Sequence, residues 1–179
     1  MSDEGLAHFT DKTYPLDSLI INGCNGISGP GLKQWLFSFK DTLLDLEAAL
    51  MDQESFSSVF METLGGCFNL ETLDVVGSKG IDDDGARKLN AASVTVGQLV
   101  AQPGLQFCHT LKLSGATIGD ACMPLLVKTM PNLEHVEIAK CESIGEFGVK
   151  ELIQKCIKLT YIDINKIPIV NYAFLDELK

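Results

Sequence analysis

One short pattern of apolar and polar positions returns six times along the chain. Leu16-x-x-Leu19-x-Ile21-x-Gly23-Cys24 reappears as Leu70-x-x-Leu73-x-Val75-x-Gly77-Ser78 and as Leu133-x-x-Val136-x-Ile138-x-Lys140-Cys141. Cys108-x-x-Leu111-x-Leu113-x-Gly115 has the same form with Cys in first place. Leu159-x-x-Ile162-x-Ile164 is a shorter copy, and Leu43-x-x-Leu46-x-Ala48 a weaker one. The anchors 16, 43, 70, 108, 133 and 159 are spaced by 27, 27, 38, 25 and 26 residues, so only the third unit is expanded. The apolar residues of each copy alternate, which predicts a short strand with one buried side.

Helical spacing follows each strand. Leu32, Trp35, Leu36 and Phe39 stand at i, i+3, i+4 and i+7, as do Val149, Leu152, Ile153 and Cys156. Met123, Leu126, Val127 and Met130 repeat the pattern, with Pro124 early in the helix, where a missing N–H costs little. Small residues mark the helix start: Gly5, Gly31, Ser58, Gly85, Cys122 and Gly148. Four positions before most of them lie Met1, Ile27, Ile81, Ile118 and Ile144; Glu54 breaks the column in the second unit. Each unit is therefore strand, turn and helix. One unit cannot bury its apolar side alone, so the units must stack.

The repeat resembles the cysteine-containing leucine-rich repeat of F-box proteins and of relatives of the yeast mitotic-exit antagonist. That unit reads Cys-x-x-Leu-x-x-Leu-x-Leu-x-x-Cys-x-x-Ile-[Ser/Thr]-Asp-x-Gly-Leu. Its first half is seen in Cys156-x-x-Leu159-x-x-Ile162-x-Ile164, and the rest in Leu133 to Cys141, Ile144, Gly148 and Val149. Cys24-x-x-Ile27-Ser28-x-x-Gly31-Leu32, Asp3-x-Gly5-Leu6 and Asp83-x-Gly85-Ala86 carry the later part. The degenerate second unit and the expanded third depart from it. The resemblance implies an α/β leucine-rich-repeat solenoid of six strand–helix units, with a curved parallel sheet and helices outside. The expected plan is a single domain over 1–179. In it, 1–15 form a partial repeat or N-terminal cap, 16–166 the repeats, 90–107 the expansion and 167–179 a C-terminal cap. Met1 to Leu6 read either as an ordinary capping helix or as the second half of a unit whose strand is missing.

Composition narrows the function classes. In 179 residues, 24 Asp and Glu oppose 14 Lys and Arg, for a net charge of −10. Such a surface repels phosphate backbones, so no nucleic-acid partner is expected. It favours a basic protein partner, or serves solubility alone. Leu89–Leu111 is free of Asp, Glu, Lys and Arg but contains Asn, Ser, Thr, Gln, Pro and His, so it is not read as a membrane span. No signal peptide is read at Met1-Ser2-Asp3-Glu4-Gly5, and six cysteines without a Cys-x-x-Cys fit a reducing, cytoplasmic or nuclear compartment.

Little in the chain resembles catalytic chemistry. Cys67 and Cys156 fall at helix ends, and Cys24 and Cys141 at strand exits, turn positions where a thiol points inward and can meet a backbone carbonyl. Cys108 and His109 are neighbours, but on a strand they face opposite ways. Gly26-Ile27-Ser28-Gly29-Pro30-Gly31-Leu32-Lys33 lacks the Gly-Lys-Ser/Thr ending of a phosphate loop. The chain is read as not an enzyme, with no catalytic residue, cofactor or metal.

The outward strand positions carry the functional expectation. They form three columns: Ser18, Asp45, Thr72, Thr110, His135, Tyr161; then Ile20, Glu47, Asp74, Lys112, Glu137, Asp163; then Asn22, Ala49, Val76, Ser114, Ala139, Asn165. All three are expected to face solvent on the concave side. Neighbouring strands lie about 4.8 Å apart, so the acids repel one another and Lys112, between Asp74 and Glu137, relieves part of this. Ile20, Asp45, Glu47, Asp74, Lys112, His135, Glu137, Tyr161 and Asp163 are the candidate partner-binding residues. The acids would receive a Lys- or Arg-bearing segment, with Ile20 and Tyr161 as anchors.

The expansion, with Val94, Val96, Leu99, Val100, Pro103 and Leu105, is expected either to cover its own unit or to project toward a partner. Tyr172, Leu175 and Leu178 would form one face of the C-terminal cap. The expected function is non-catalytic protein binding on the concave sheet. By resemblance, it includes the substrate-recognition part of a ubiquitin-ligase receptor; these residues contain no F-box-like segment. The alternatives are a structural or assembly subunit of a larger complex, as in mitochondrial ATP-synthase coupling factor B, and an enzyme regulator resembling ribonuclease inhibitor. The first would need a transit-like N-terminus, and the second goes with longer, more regular repeats.

Overall fold

A computed structural model describes residues 1–10, 15–52, 58–78, 80–100 and 105–168, with the side chains of 58, 59 and 93–100 left aside. The six predicted strands are β1 (Ser18–Ile20), β2 (Asp45–Glu47), β3 (Thr72–Asp74), β4 (Thr110–Lys112), β5 (His135–Glu137) and β6 (Tyr161–Asp163). They form one parallel sheet in chain order. The helices are α1 (Asp3–Thr10), α2 (Gly29–Phe39), α3 (Ser58–Leu64), α4 (Asp83–Val100), α5 (Met123–Thr129) and α6 (Glu146–Lys155), each packed on the next. Strand, turn and helix thus recur in every full unit with described residues through α6. The fold is a leucine-rich-repeat solenoid.

The pairing register is the one the repeat predicts. Ser18, Asp45, Thr72, Thr110, His135 and Tyr161 are successive partners, and so are Ile20, Glu47, Asp74, Lys112, Glu137 and Asp163. Between these rows, Leu46, Leu73, Leu111 and Val136 are buried, while Leu19 and Ile162 at the two ends are partly exposed. Ile27, Ile81, Ile118 and Ile144 are buried as their column predicts. Met1, in the same column, is exposed, because α1 has no described strand beside it to close over that side chain.

Two hydrogen-bond systems join the units. In the first, the sheet ladder runs on into the turns. The N–H groups of Gly23, Leu50, Gly77, Gly115 and Lys140 each donate to the carbonyl of the next unit, on Ala49, Val76, Ser114, Ala139 and Asn165, at 2.8–2.9 Å. Just behind, Ser78 Oγ donates to the Ala48 carbonyl at 3.0 Å and Cys141 Sγ to the Leu113 carbonyl at 3.3 Å. The Cys141 bond is the inward thiol–carbonyl contact the sequence predicts. Cys24, in the first full unit, has no preceding turn to donate to among the described residues and stays half-buried.

The second system lies at the helix starts. Asp3 accepts from Ser28 N–H at 2.7 Å and from the Ser28 hydroxyl, which in turn caps Gly31 N–H. Asp83 accepts from Gly119 N–H at 2.7 Å. Asp120 Oδ1 accepts from Gly145 N–H at 2.7 Å and Gly148 N–H at 2.9 Å. Each aspartate therefore satisfies amides that open the following unit's helical segment, groups with no partner within their own helix. At two positions this gives the small-residue column a specific cause. A Cβ on Gly148 would stand 2.6 Å from Asp120 Oδ1, and one on Gly31 would overlap the Asp3 carboxylate.

The expansion of the third unit is in part helical. α4 runs for 18 residues, the longest described helix, and Thr129 on α5 hydrogen-bonds Asn90 across to it. Leu105 is buried. The side chains of Val94, Val96, Leu99 and Val100, residue Pro103, and Tyr172, Leu175 and Leu178 of the expected cap lie outside the described residues, as does Glu54. No described helix is long and apolar enough to cross a membrane.

Candidate functional site: the concave sheet face

Strand alternation sends the middle residue of each strand into the core and its two flanking residues to the open face. The first two outward columns are accordingly half-buried or exposed from end to end. The third is a correction to the expectation: Ala139 is buried, and Ala49, Val76 and Ser114 are half-buried. These side chains are short, and neighbours one strand spacing away shade them.

The face divides electrostatically. On its β3–β6 side the acids are engaged within the face. Lys112 Nζ lies 3.6 Å from Asp74 Oδ2 and 3.6 Å from Glu137 Oε1, so one ammonium bridges the two acids that flank it in register. His135 Nε2 is 2.9 Å from the same Glu137 oxygen, and its ring stacks on Tyr161 with centroids 4.2 Å apart. Asp163 accepts from the backbone and side-chain nitrogens of Asn165. His109, one residue before β4, adds a contact to Glu71 at 3.6 Å.

The β1–β2 side differs. Among the described residues no cation pairs with Asp45 or Glu47. Glu47 accepts a 3.3 Å hydrogen bond from Asn22, whose carbonyl oxygen accepts from Ala49 N–H. Beside them Ile20 is 62% exposed, a large apolar side chain in the middle column where the other strands carry charge. Tyr161, 48% exposed, is its counterpart at the far end of the sheet.

The thiols are placed for packing. Cys67, Cys108, Cys122, Cys141 and Cys156 are buried. Burial pushes the Cys67 and Cys108 thiols up to about 12. Cys122 rises to about 12 as well, through burial and then the hydrogen bond and charge of Asp83. Burial also raises Cys141, and takes Cys156 to about 11. Nucleophilic or metal-binding cysteine is the thiolate, so these environments disfavour both roles. No group of three or more metal-ligating residues is found among the described residues. Cys108 faces the core while His109 is half-exposed, as strand alternation requires.

Sequence reasoning missed the row of turns that closes the face. Gly23, Leu50, Gly77, Gly115, Lys140 and Lys166 all have positive φ, between 57° and 81°. The three glycines signal it; Leu50, Lys140 and Lys166 do so only through their shared register. The inter-unit role of Asp3, Asp83 and Asp120 was also missed, although two of these residues carry the Asp-x-Gly signature.

The sequence profile of a family described as Leucine Rich repeat matches residues 66–89, which span β3 and the first turns of α4. No curated protein matches the sequence. Among solved structures, the chain is similar to one in the crystal structure of the Rad7 and Elc1 complex in yeast, at 13% identity and a TM-score of 0.39. The match covers 99% of this chain and 63% of that one, so this chain spans less than two thirds of its length. The profile match coincides with the third unit of the observed stack, whose six strands share one register: the chain folds as a leucine-rich-repeat solenoid.

Proposed function

We propose that the protein is a non-catalytic interaction module that holds a protein partner on its concave sheet face. The observation that carries this reading is the pair of outward acids on β2, Asp45 and Glu47, left without a described cation beside exposed Ile20. A basic segment with one apolar side chain complements that group: Lys or Arg on the two carboxylates, the apolar side chain against Ile20. Tyr161, stacked on His135, is a second anchor at the other end. Asp74, Lys112, Glu137 and Asp163, already engaged within the face, set its shape and supply rim contacts. A rigid parallel sheet presents these side chains with little reorganisation, which favours affinity.

The finer reading is the substrate-recognition part of a ubiquitin-ligase receptor, and its support is the cysteine-containing form of the repeat. An effector region would then lie outside these residues or on another chain.

The test is affinity capture with crosslinking, comparing the protein with its Asp45→Lys/Glu47→Lys variant. The reading expects crosslinks on β1–β3 of the parent and loss of most captured protein in the variant. Equal capture by both at low salt overturns it.

A further inference from the structure

The turn row forms a second feature of opposite charge. Its backbone is accounted for by the ladder, which glycine would serve as well. Left-handed backbone costs a larger residue roughly 1–2 kcal/mol, yet Leu50, Lys140 and Lys166 adopt it. Leu50 is 65% exposed, and a Cβ on Gly77 would stand 2.8 Å from its Cδ2, so Gly77 leaves room for the leucine side chain at this edge.

Lys140 and Lys166 are equivalent residues of adjacent units, so their backbones lie about one strand spacing apart, near 4.8 Å. Both are exposed, and neither makes an ion pair among the described residues. Two lysines on neighbouring turns can both reach one anion placed between them, which would offset their mutual repulsion. They help line a groove of about 620 Å³, together with Leu50, Val76, Ser114 and Ala139. Glu137 and Asp163 line it too, and both already have partners: Glu137 with Lys112 and His135, Asp163 with Asn165.

We infer that this groove is a docking subsite for an extended peptide carrying an acidic side chain. The carboxylate sits between Lys140 and Lys166, and a neighbouring apolar side chain lies against Leu50 and Val76. The subsite is independent of the basic segment proposed for Asp45 and Glu47, and recognises the opposite charge. One partner meeting both would be basic over β2 and acidic at the turns of the last two units.

The test titrates the full ¹⁵N-labelled chain with acetyl-Leu-Ala-Glu-Ala-Leu-amide and follows amide shifts. Two control peptides carry Gln or Lys in place of the glutamate. The Glu peptide is expected to move the Gly77, Gly115, Lys140 and Lys166 amides, with a Kd of about 1 mM or tighter. The Gln peptide and the Lys140→Gln/Lys166→Gln variant should each weaken this roughly tenfold. Lys140→Gly/Lys166→Gly, at ease at positive φ, is a second variant with the same expectation. Asp45→Asn/Glu47→Gln should leave the response unchanged, which separates this subsite from the acidic face. Absence of shifts at several times that concentration, equal response to the Glu and Gln peptides, preference for the Lys peptide, or shifts confined to other residues would each overturn the inference.

Discussion

The carboxylates at the helix starts and those on the concave face are the same chemical groups in two different trades. Asp3, Asp83 and Asp120 accept from backbone N–H groups of the following unit at 2.7–2.9 Å. Asp74, Glu137 and Asp163 on the face bond to side chains, or to amides of their own unit. Glu47 has only the Asn22 side chain among the described residues. An acid whose partner is the next unit's backbone holds the stack. An acid whose partner is a side chain or water shapes a surface. Removing the first kind should cost stability at one joint, whereas removing the second should cost little and change what the face attracts.

The largest expected effect comes from crowding a joint. Gly148→Val places a branched side chain where the first added carbon would stand 2.6 Å from Asp120 Oδ1 and 2.8 Å from Met123 Cγ. Overpacking and the displacement of two amide bonds together should cost about 4 kcal/mol. Urea melts of the variant measure it. A loss under about 1 kcal/mol would mean that the joint yields easily and that its aspartate matters little.

The buried side of the sheet offers a control that touches neither set of carboxylates. Cys67 and Cys108 have thiols raised from 9.0 to about 12 by burial. Above pH 9 the unfolded chain loses these protons and the folded one keeps them, so stability falls as pH rises and the loss levels off near pH 12. At pH 10 the two thiols together should cost about 3 kcal/mol. Melts at pH 8 and pH 10, for the parent and for Cys67→Ala/Cys108→Ala, isolate their share. A parent whose alkaline loss matched the double variant's would place those thiols in water.

The sheet was legible in the sequence because a period of two leaves no ambiguity once the anchors are aligned. Leu46, Leu73, Leu111 and Val136 had to be inward, and Glu47, Asp74, Lys112 and Glu137 outward. The sharing of Lys112 between Asp74 and Glu137 followed from register alone. Less legible was what each small residue makes room for. Gly31 and Gly148 announce tight packing, but the object packed there is an aspartate from the preceding unit, 28 residues earlier in both cases, and no local pattern names it. The third outward column failed for a related reason. Alternation fixes which way Ala139 points, while its exposure depends on the bulk of its neighbours. The left-handed turns at Lys140 and Lys166 could be reached only by carrying the glycines of the same column across units.

Asp120→Ala is the more selective break. It leaves the buried amides of Gly145 and Gly148 without their acceptor, and should cost about 2 kcal/mol. Hydrogen exchange should quicken at those two amides first. Asp120→Asn keeps an acceptor oxygen in place and should recover most of the loss. Glu47→Ala, on the face, should change stability by less than about 0.5 kcal/mol and leave exchange at the joints unaltered. If the two alanine variants behaved alike, the division between joint acids and face acids would not hold.

A small stability effect, and the sharpest contrast in sign, is expected at Lys112. Its distances to Asp74 and Glu137 are both 3.6 Å, beyond hydrogen-bond length, so the attraction is mostly Coulombic. The three side chains are only partly buried, and water screens the pairs. Lys112→Met keeps the length of the side chain and its packing while removing the charge. It should therefore lower stability by less than about 1 kcal/mol. Binding should move the other way. With the bridge gone, Asp74 and Glu137 add unpaired charge to that of Asp45 and Glu47, and a lysine-rich peptide should bind the face several-fold tighter at low salt, an advantage that added salt erases. A destabilisation as large as that of Asp120→Ala, or weaker peptide binding, would show that Lys112 ties the strands together instead of tuning the charge they present.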